Sequence, residues 1–432
     1  MRRPIRSVVG PLCAVALMHL VAVPLASAQA VVQAEGFDPL ALESAPVETV
    51  EKTAGKARMF FEGSIGNISR RFGLGSLDTR RAAFDVSYSA RFATEFNFVF
   101  SDRIDIVHPT SIGADSTINS LREAYASWQP GGGNTIVDFG RINLRNGPGY
   151  GYNPTDFFRD GSLRVLTSAD PFALRQNRMG TVMLRGQRLW NGGSLSVTYS
   201  PKLATKPSAD GWSLDLGSTN NRDRALVTLG TKISQTVNLQ LLLYKEAGLT
   251  PTVGANMTAL LSDASTAHLE WSHGKETGLL SRVLALAAAN VETRNRFVGG
   301  FTYTTLGKTS ITAEYQYNGF GLKQSNWAAL GAAPLVQLAY LREALRLQEL
   351  APRRALLIYV TQKSLWLKDL DLTAYLRFNP GDNSRLAWLE LRHHWPNFDL
   401  TFQLQQNMGR NTSEFGILPD RRTIQVLGTY YF

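Results

Sequence analysis

The last twelve residues, 421–432, read RRTIQVLGTYYF and constrain what the whole chain can fold into. In an extended strand successive side chains point to opposite faces. Ile424, Val426, Gly428, Tyr430 and Phe432 then share one face, and Thr423, Gln425, Leu427, Thr429 and Tyr431 share the other. The first face is apolar and ends in two aromatic rings. Terminal residues of soluble domains usually fray into water. A strand that closes a barrel in lipid instead carries an apolar outer face with aromatic rings at the interface. The competing reading is an edge strand of a soluble sheet.

The same alternation recurs along the chain. Phe96, Phe98 and Phe100 oppose Glu95, Asn97 and Ser101, and Val237, Leu239, Leu241 and Leu243 oppose Asn238, Gln240 and Tyr244. Leu370, Leu372, Ala374, Leu376 and Phe378 oppose Asp371, Thr373, Tyr375 and Arg377, and Phe398, Leu400, Phe402 and Leu404 oppose Asp399, Thr401, Gln403 and Gln405. Soluble sandwiches alternate too, so the connections decide. Short links fall at 130–134, 190–193, 234–236, 262–265, 305–308, 366–369 and 396–397. Longer ones lie between them at 104–118, 144–177, 201–222, 275–293, 319–352 and 408–420, with shorter members near 247–251 and 379–383. Short inner turns alternating with long outer loops characterise outer-membrane barrels. The expectation is an all-β, antiparallel up-and-down transmembrane barrel of about 18 strands, or 16 if one early strand is miscounted. Strand 421–432 should close it against a strand near 58–64. Two outer links read as short helices, 279–291 and 334–350; the second places Leu335, Leu338, Leu341, Leu345 and Leu350 on one face.

The first residues set the compartment. Arg2, Arg3 and Arg6 precede an apolar stretch from Val8 to Leu25, and Ala26-Ser27-Ala28 forms a small-x-small cleavage site. This is the pattern of a secretory signal peptide over 1–28. A periplasmic tail over 29–56 and a barrel over 57–432 follow. The single cysteine, Cys13, leaves with the signal, which excludes disulfides and thiolate metal sites from the mature chain. No later apolar run is long enough for a membrane helix. The formal charge of +10 suggests anionic partners. Nucleic acid is excluded as a partner by the secreted location and by the absence of a basic helix or Cys/His finger.

One stretch concentrates that charge. Arg141, Arg145, Arg159, Arg164, Arg175, Arg178, Arg185 and Arg188 stand against Asp156, Asp160 and Asp170 alone, a net of about +5 with no lysine. Gly147, Gly149 and Gly151 open backbone turns closed to other residues. Pro148, Pro154 and Pro171 stiffen the segment. Asn153, Pro154 and Asp156 form a turn that structures the loop. The mixture predicts an ordered loop folded into the barrel. Arginine grips carboxylate or phosphate through a planar, permanently charged fork. Arg141, Arg145, Arg159, Arg164, Arg175, Arg178 and Arg185 are therefore the candidate anion-binding residues. The competing reading gives them to Arg–Asp pairs that pin the loop, or to lipopolysaccharide phosphates. Inward acids (Glu62, Asp85, Glu95, Glu123, Asp138, Glu270, Glu314 and Glu390) would neutralise part of this charge. Arg141 shares strand parity with Val137 and Phe139, so it needs either a bulge or a position beyond the membrane edge.

The Gly140-Arg141 pair with NPTDFF over 153–158, QNRMG over 176–180 and EYQYNGFG over 314–321 resemble a group of uncharacterised outer-membrane proteins with a porin-like barrel. A more distant likeness, in strand number and arginine content, is to alginate-export barrels. The ending in Phe432 with Tyr430 two residues before it resembles the strand read by the barrel-assembly machinery. The resemblance implies a bacterial outer-membrane location, with lipid and lipopolysaccharide as surroundings, and brings no catalytic residues. The expected function is a passive channel for small anionic solutes, with no cofactor, no metal and no enzymatic activity. The alternatives are an export conduit for a polyanionic or lipid-like polymer, and a non-conducting structural or adhesive barrel. His268, with Glu270 and Ser272 on the same face, is the only local set resembling a base with a carboxylate.

Overall fold

The computed structural model describes residues 56–110, 115–285 and 291–432. The expected signal peptide and the tail up to residue 55 lie outside the described residues; Lys56 already belongs to the first strand. The strands are β1 (Lys56–Arg70), β2 (Ser76–Ala93), β3 (Phe96–His108), β4 (Thr117–Trp128), β5 (Thr135–Ile142), β6 (Thr181–Trp190), β7 (Gly193–Ser200), β8 (Arg224–Lys232) and β9 (Val237–Glu246). They continue as β10 (Thr252–Ser262), β11 (Ser265–Thr277), β12 (Val291–Thr304), β13 (Thr309–Asn318), β14 (Arg354–Gln362), β15 (Leu370–Asn379), β16 (Ser384–Trp395), β17 (Phe398–Met408) and β18 (Asp420–Tyr431). Each pairs antiparallel with its neighbours in sequence, and β1 pairs with β18, so the 18-stranded sheet closes. Closure leaves no unpaired edge to face lipid, which no open sheet achieves. The closing register sets Phe60 opposite Tyr431 and Ser64 opposite Leu427, the pairing expected from the sequence.

The two faces separate as the alternation requires. Phe61, Phe84, Phe98, Phe139, Leu195, Leu241, Ile358, Phe402 and Tyr430 are exposed on the outside. Ser101, Asp138, Gln240, Glu270, Glu314 and Thr429 are buried within. An apolar exterior around a polar interior is the construction of an outer-membrane barrel, and the chain resides there.

Three details depart from the sequence reading. First, the link expected at 104–118 is shorter, because β3 continues to His108 with Arg103 and Asp105 inward and Ile104 and Ile106 outward. Arg103 pairs with Glu62 on β1 and Asp105 with Arg81 on β2, which makes a charged run compatible with a wall. Second, Glu95 belongs to the β2–β3 turn, where it accepts from Gly131 N and Trp128 Nε1. Glu123 lies beside the β3–β4 register shift and is only partly buried. Glu95 therefore does not extend the acidic inner face as expected, whereas Glu123, opposite inward Ser101 and near Arg145 of the 143–180 loop, does.

Third, the described residues contain five short helices: α1 (Pro171–Gln176), α2 (Leu216–Thr219), α3 (Leu279–Val283), α4 (Gln324–Ala329) and α5 (Pro334–Arg346). The helix expected over 279–291 stops at Val283, and 286–290 lie outside the described residues. In α5 the buried seam is Gln337, Tyr340 and Ala344, continued by Leu347, while Leu335 is 80% and Leu345 46% exposed. Of the leucine face expected from the sequence, Leu338, Leu341 and Leu350 are packed and Leu335 and Leu345 are not. Polar anchors set the rotation: the Tyr340 hydroxyl donates to Ala351 O at 2.7 Å, and Gln337 donates to Trp327 O at 3.2 Å.

Candidate functional site

The chain leaves the wall at Ile142 and returns at Thr181; the intervening loop is mostly buried over 143–162 and again over 178–180, and half-buried for most of the stretch between. It departs between β5 and β6 but bonds to strands on the opposite side of the barrel. Tyr150 N and Gly151 N donate to the two oxygens of Glu314 on β13, at 2.5 and 3.0 Å. Gly149 N and Asn153 Nδ2 donate to Glu270 Oε1 on β11, at 3.2 and 3.1 Å. The Thr155 hydroxyl donates to Asn256 Oδ1 on β10 at 2.8 Å. Buried N–H groups must find acceptors, and a carboxylate is the strongest one available.

Glycine is required where the approach is closest. At Gly147 φ is +89°, and an added Cβ would fall 1.6 Å from Glu270 Oε1. At Gly300 on β12, the absent side chain lets His268 reach across to Glu314, with Nε2 2.9 Å from Oε1. His268 is thus paired with Glu314, whereas Glu270 is taken up by the loop. The His268, Glu270 and Ser272 grouping suggested by spacing is not an acid–base set.

The opposite side of the loop is held by arginines. Arg175 donates to the carbonyls of Asn146, Gly147 and Gly149 at 3.0–3.5 Å. Arg178 donates to Leu144 O and Asn143 Oδ1, both at 2.9 Å, and pairs with Asp156 at 2.9 Å. Asp156 also lies 3.8 Å from Arg175. Asn153 folds back to Gly149 O at 2.7 Å, as its place in a turn predicts. Burial lowers the Arg175 pKa to about 10, which leaves it charged at neutral pH.

The loop's second half rests on aromatic rings. Tyr359 and Tyr375 stack at 6.3 Å between centroids, Tyr375 meets Trp388 at 5.6 Å, and Phe172 meets Tyr359 edge-on at 5.3 Å. The Tyr375 hydroxyl donates to Ala169 O at 2.8 Å and the Tyr359 hydroxyl to Asp170 at 3.1 Å. Asp170 also caps α1, accepting from Phe172 N and Ala173 N at 3.3 Å each. Burial, then the nearby Glu390, pushes its pKa up to about 6.

The remaining candidate arginines are distributed. Arg159 binds Glu349 and Leu347 O, and its guanidinium lies over the Tyr152 ring at 5.2 Å. Arg164 donates to four carbonyls, of Asn119, Asp210, Gly211 and Ser213, at 2.7–3.3 Å. Arg185 lies 3.6 Å from Asp138. Arg145 is partly buried, near Glu123 and Arg175. Arg188 is exposed and donates to Thr135 at 2.6 Å. Arg141 donates to Gly180 O and Thr219 Oγ1 at 2.9 and 3.0 Å. Pairing runs uninterrupted through it, with Arg141 opposite Val182, so no bulge in β5 turns it inward. The 201–223 link covers it at the outer end of the strand.

Sequence reasoning missed a second charged group on the wall of β1 to β4. Arg103 bonds Glu62 at 2.9 Å and Asp105 at 3.1 Å, Arg81 bonds Glu62 at 2.5 Å, and Arg122 bonds Asp85 at 2.6 Å. Arg122 also donates to Asn177 Oδ1 at 3.0 Å, tying this wall to the loop. Regular alternation of Arg and Asp on the inner parity of β3 was the available signal.

No family model matches the sequence, and no curated protein matches it. Solved structures share its fold. OccAB1 of Acinetobacter baumannii is 12% identical over 88% of this chain and 96% of its own, with a TM-score of 0.56. OccK5 (OpdH) of Pseudomonas aeruginosa is 10% identical over 88% and 98%, with a TM-score of 0.55. A BenF-like porin from Pseudomonas fluorescens Pf-5 is 11% identical over 88% and 98%, with a TM-score of 0.54. At these identities the likeness is one of fold: the chain is a porin-like outer-membrane β-barrel.

Proposed function

We propose that this barrel is a channel for small solutes, passive and biased toward anions, with its lumen narrowed by the 143–180 loop. The observation that carries the reading is the loop's attachment across the barrel, from β5 to Glu270, Glu314 and Asn256. A fixed crossing segment converts a wide barrel into a selective passage, since the lining groups then stand close to any solute. The porin fold of the structural neighbours agrees with it.

The anion bias rests on charge that stays uncancelled. Wall carboxylates meet much of the loop's arginine excess. Among the described residues Arg164 donates to four carbonyls and to no carboxylate, and Arg175 donates to three loop carbonyls with Asp156 no closer than 3.8 Å. Neutral oxygens satisfy the donors and leave the positive field in place, which lowers the barrier for an anion.

Planar-bilayer recording of the purified, folded protein tests both parts. Discrete conductance with a reversal potential displaced toward chloride in a salt gradient is expected. Arg145→Ser with Arg164→Ser should reduce the displacement. A folded protein without conductance rejects the channel, and an unchanged reversal potential in the variant rejects the role of these arginines.

A further inference from the structure

A cavity of about 360 Å³ lies at the outer ends of β13, β14 and β15, beneath the 319–353 link. That volume falls in the range of small-ligand sites, about 300–1,000 Å³. Its flank belongs to the lipid side of the wall. Tyr317 shares strand parity with the exposed Ile311 and Tyr315, and Arg354 shares it with the exposed Leu356 and Ile358. Leu322, Trp327, Leu341 and Pro352 supply apolar surface.

The cations at this cavity are not committed to the protein. Arg354 and Lys323 are exposed and donate to no acceptor among the described residues. Arg353, beside them, is used internally, donating to Gly319 O and Gly321 O at 3.0 and 3.3 Å. On the neighbouring wall, Phe378 pairs with both Leu356 and Arg385, so exposed Arg385 continues the row on the lipid side. The one carboxylate at the cavity, Glu414, is buried at its deep end, accepting from Asn379 at 2.9 Å and lying 3.7 Å from Arg377. Positive charge therefore stands at the mouth and hydrogen-bonding groups stand behind it. Below the mouth, Leu356, Ile358 and Phe378 form an apolar wall of the kind acyl chains cover.

From this arrangement we infer that the cavity seats a phosphorylated sugar headgroup of lipopolysaccharide on the outer wall of the barrel, with Arg354 and Lys323 on its phosphate. Arginine's fork and lysine's point charge both suit phosphate oxygens. The sugar's hydroxyl and amide groups then face Asn379 and Glu414, and the acyl chains descend over the wall of β14 and β15. The site lies outside the passage proposed above and does not depend on it.

The test uses the full-length folded protein in detergent, with deep-rough lipopolysaccharide as the probe and native mass spectrometry as the readout. Lys323→Ser with Arg354→Ser should weaken binding at least tenfold, while single-channel conductance stays unchanged. Lys232→Ser, an exposed cation at the inner end of β8, should leave binding intact. Millimolar inorganic phosphate should fail to displace the lipid. Undiminished binding in the double variant overturns the assignment, and so does an equal loss in Lys232→Ser or displacement by inorganic phosphate. Heat-modifiable electrophoretic migration reports folding. If the double variant does not fold, Arg385→Ser alone should weaken binding about threefold, and no weakening there also overturns it.

Discussion

Gly147 stands against Glu270 so closely that a methyl group on it would lie 1.6 Å from the carboxylate oxygen. The contact fixes the height at which the 143–180 loop crosses the barrel. Gly147→Ala meets two obstacles. Its φ of +89° is disfavoured for an L side chain, and overpacking costs about 1–3 kcal/mol. The loop should detach locally while the strands persist. Single-channel recording should show a conductance larger and noisier than that of the parent protein; an identical trace would show that the loop does not set the passage.

Glu314 accepts Tyr150 N and Gly151 N and also meets His268 and Gln316 Nε2. Hydrogen bonds to a charged acceptor contribute about 1.5–3 kcal/mol when buried. Glu314→Gln keeps the shape but turns an NH2 group toward backbone donors. Protease added to reconstituted vesicles should then cut within 143–180 at a rate at least tenfold above that of the parent. Equal resistance in both proteins would place the loop's anchorage elsewhere.

Asp170 gives the loop a pH dependence with a definite sign. Docked, its pKa is about 6, raised by burial and then by Glu390, against an ordinary value of 3.8. The docked loop thus binds more protons than the released loop between those values. Docking is favoured below this window and weakens as pH rises through it, by roughly 1.4 kcal/mol per unit of difference. Conductance should rise between pH 4.5 and pH 7 in the parent protein. Asp170→Asn retains a good helix cap and should show a flat profile, and a variant with the parental slope would assign the dependence to another group.

The barrel was legible because its rule is local. The period of two in β18 and the alternating link lengths each follow from a few consecutive residues, and the closure of β18 against β1 came with them. The loop's order was legible too, since Gly147, Pro148, Asn153 and Pro154 restrict the backbone whatever surrounds them. Its partners were not. Glu270 and Glu314 lie 121 and 164 positions from the amides they accept. The carbonyls held by Arg164 and Arg175 carry no side-chain signature at all. An arginine excess therefore read as a solute path, although much of it is used on the loop's own backbone. In α5 the leucines gave only part of the packed face, Leu338 and Leu341; Tyr340 and Gln337 complete it through hydrogen bonds to residues 351 and 327.

Deletion of Phe432 tests assembly apart from function. Its amide donates to Met59 O at 3.1 Å, its ring meets Tyr430 edge-on at 5.2 Å, and its side chain is 69% exposed on the outside. The closing pair is secured without it, because the β1–β18 ladder runs from Phe60 opposite Tyr431 to Arg70 opposite Asp420, and Tyr431 is tied to the β17 side by its amide to Asn397 O and its hydroxyl to Asp399, each at 2.9 Å. Deleting Phe432 removes one backbone hydrogen bond, about 0.5–1.5 kcal/mol, and touches no group near the loop. The finished barrel should lose little stability and no conductance. Yet an exposed ring beside another on the lipid face is available to assembly machinery before closure, and its loss should reduce the folded yield several-fold. Quantifying heat-modifiable protein in outer membranes, alongside the conductance of the molecules that do fold, distinguishes the two. A normal yield would deny Phe432 its place in assembly, whereas low yield with parental conductance fits a residue that acts only while the barrel is being closed.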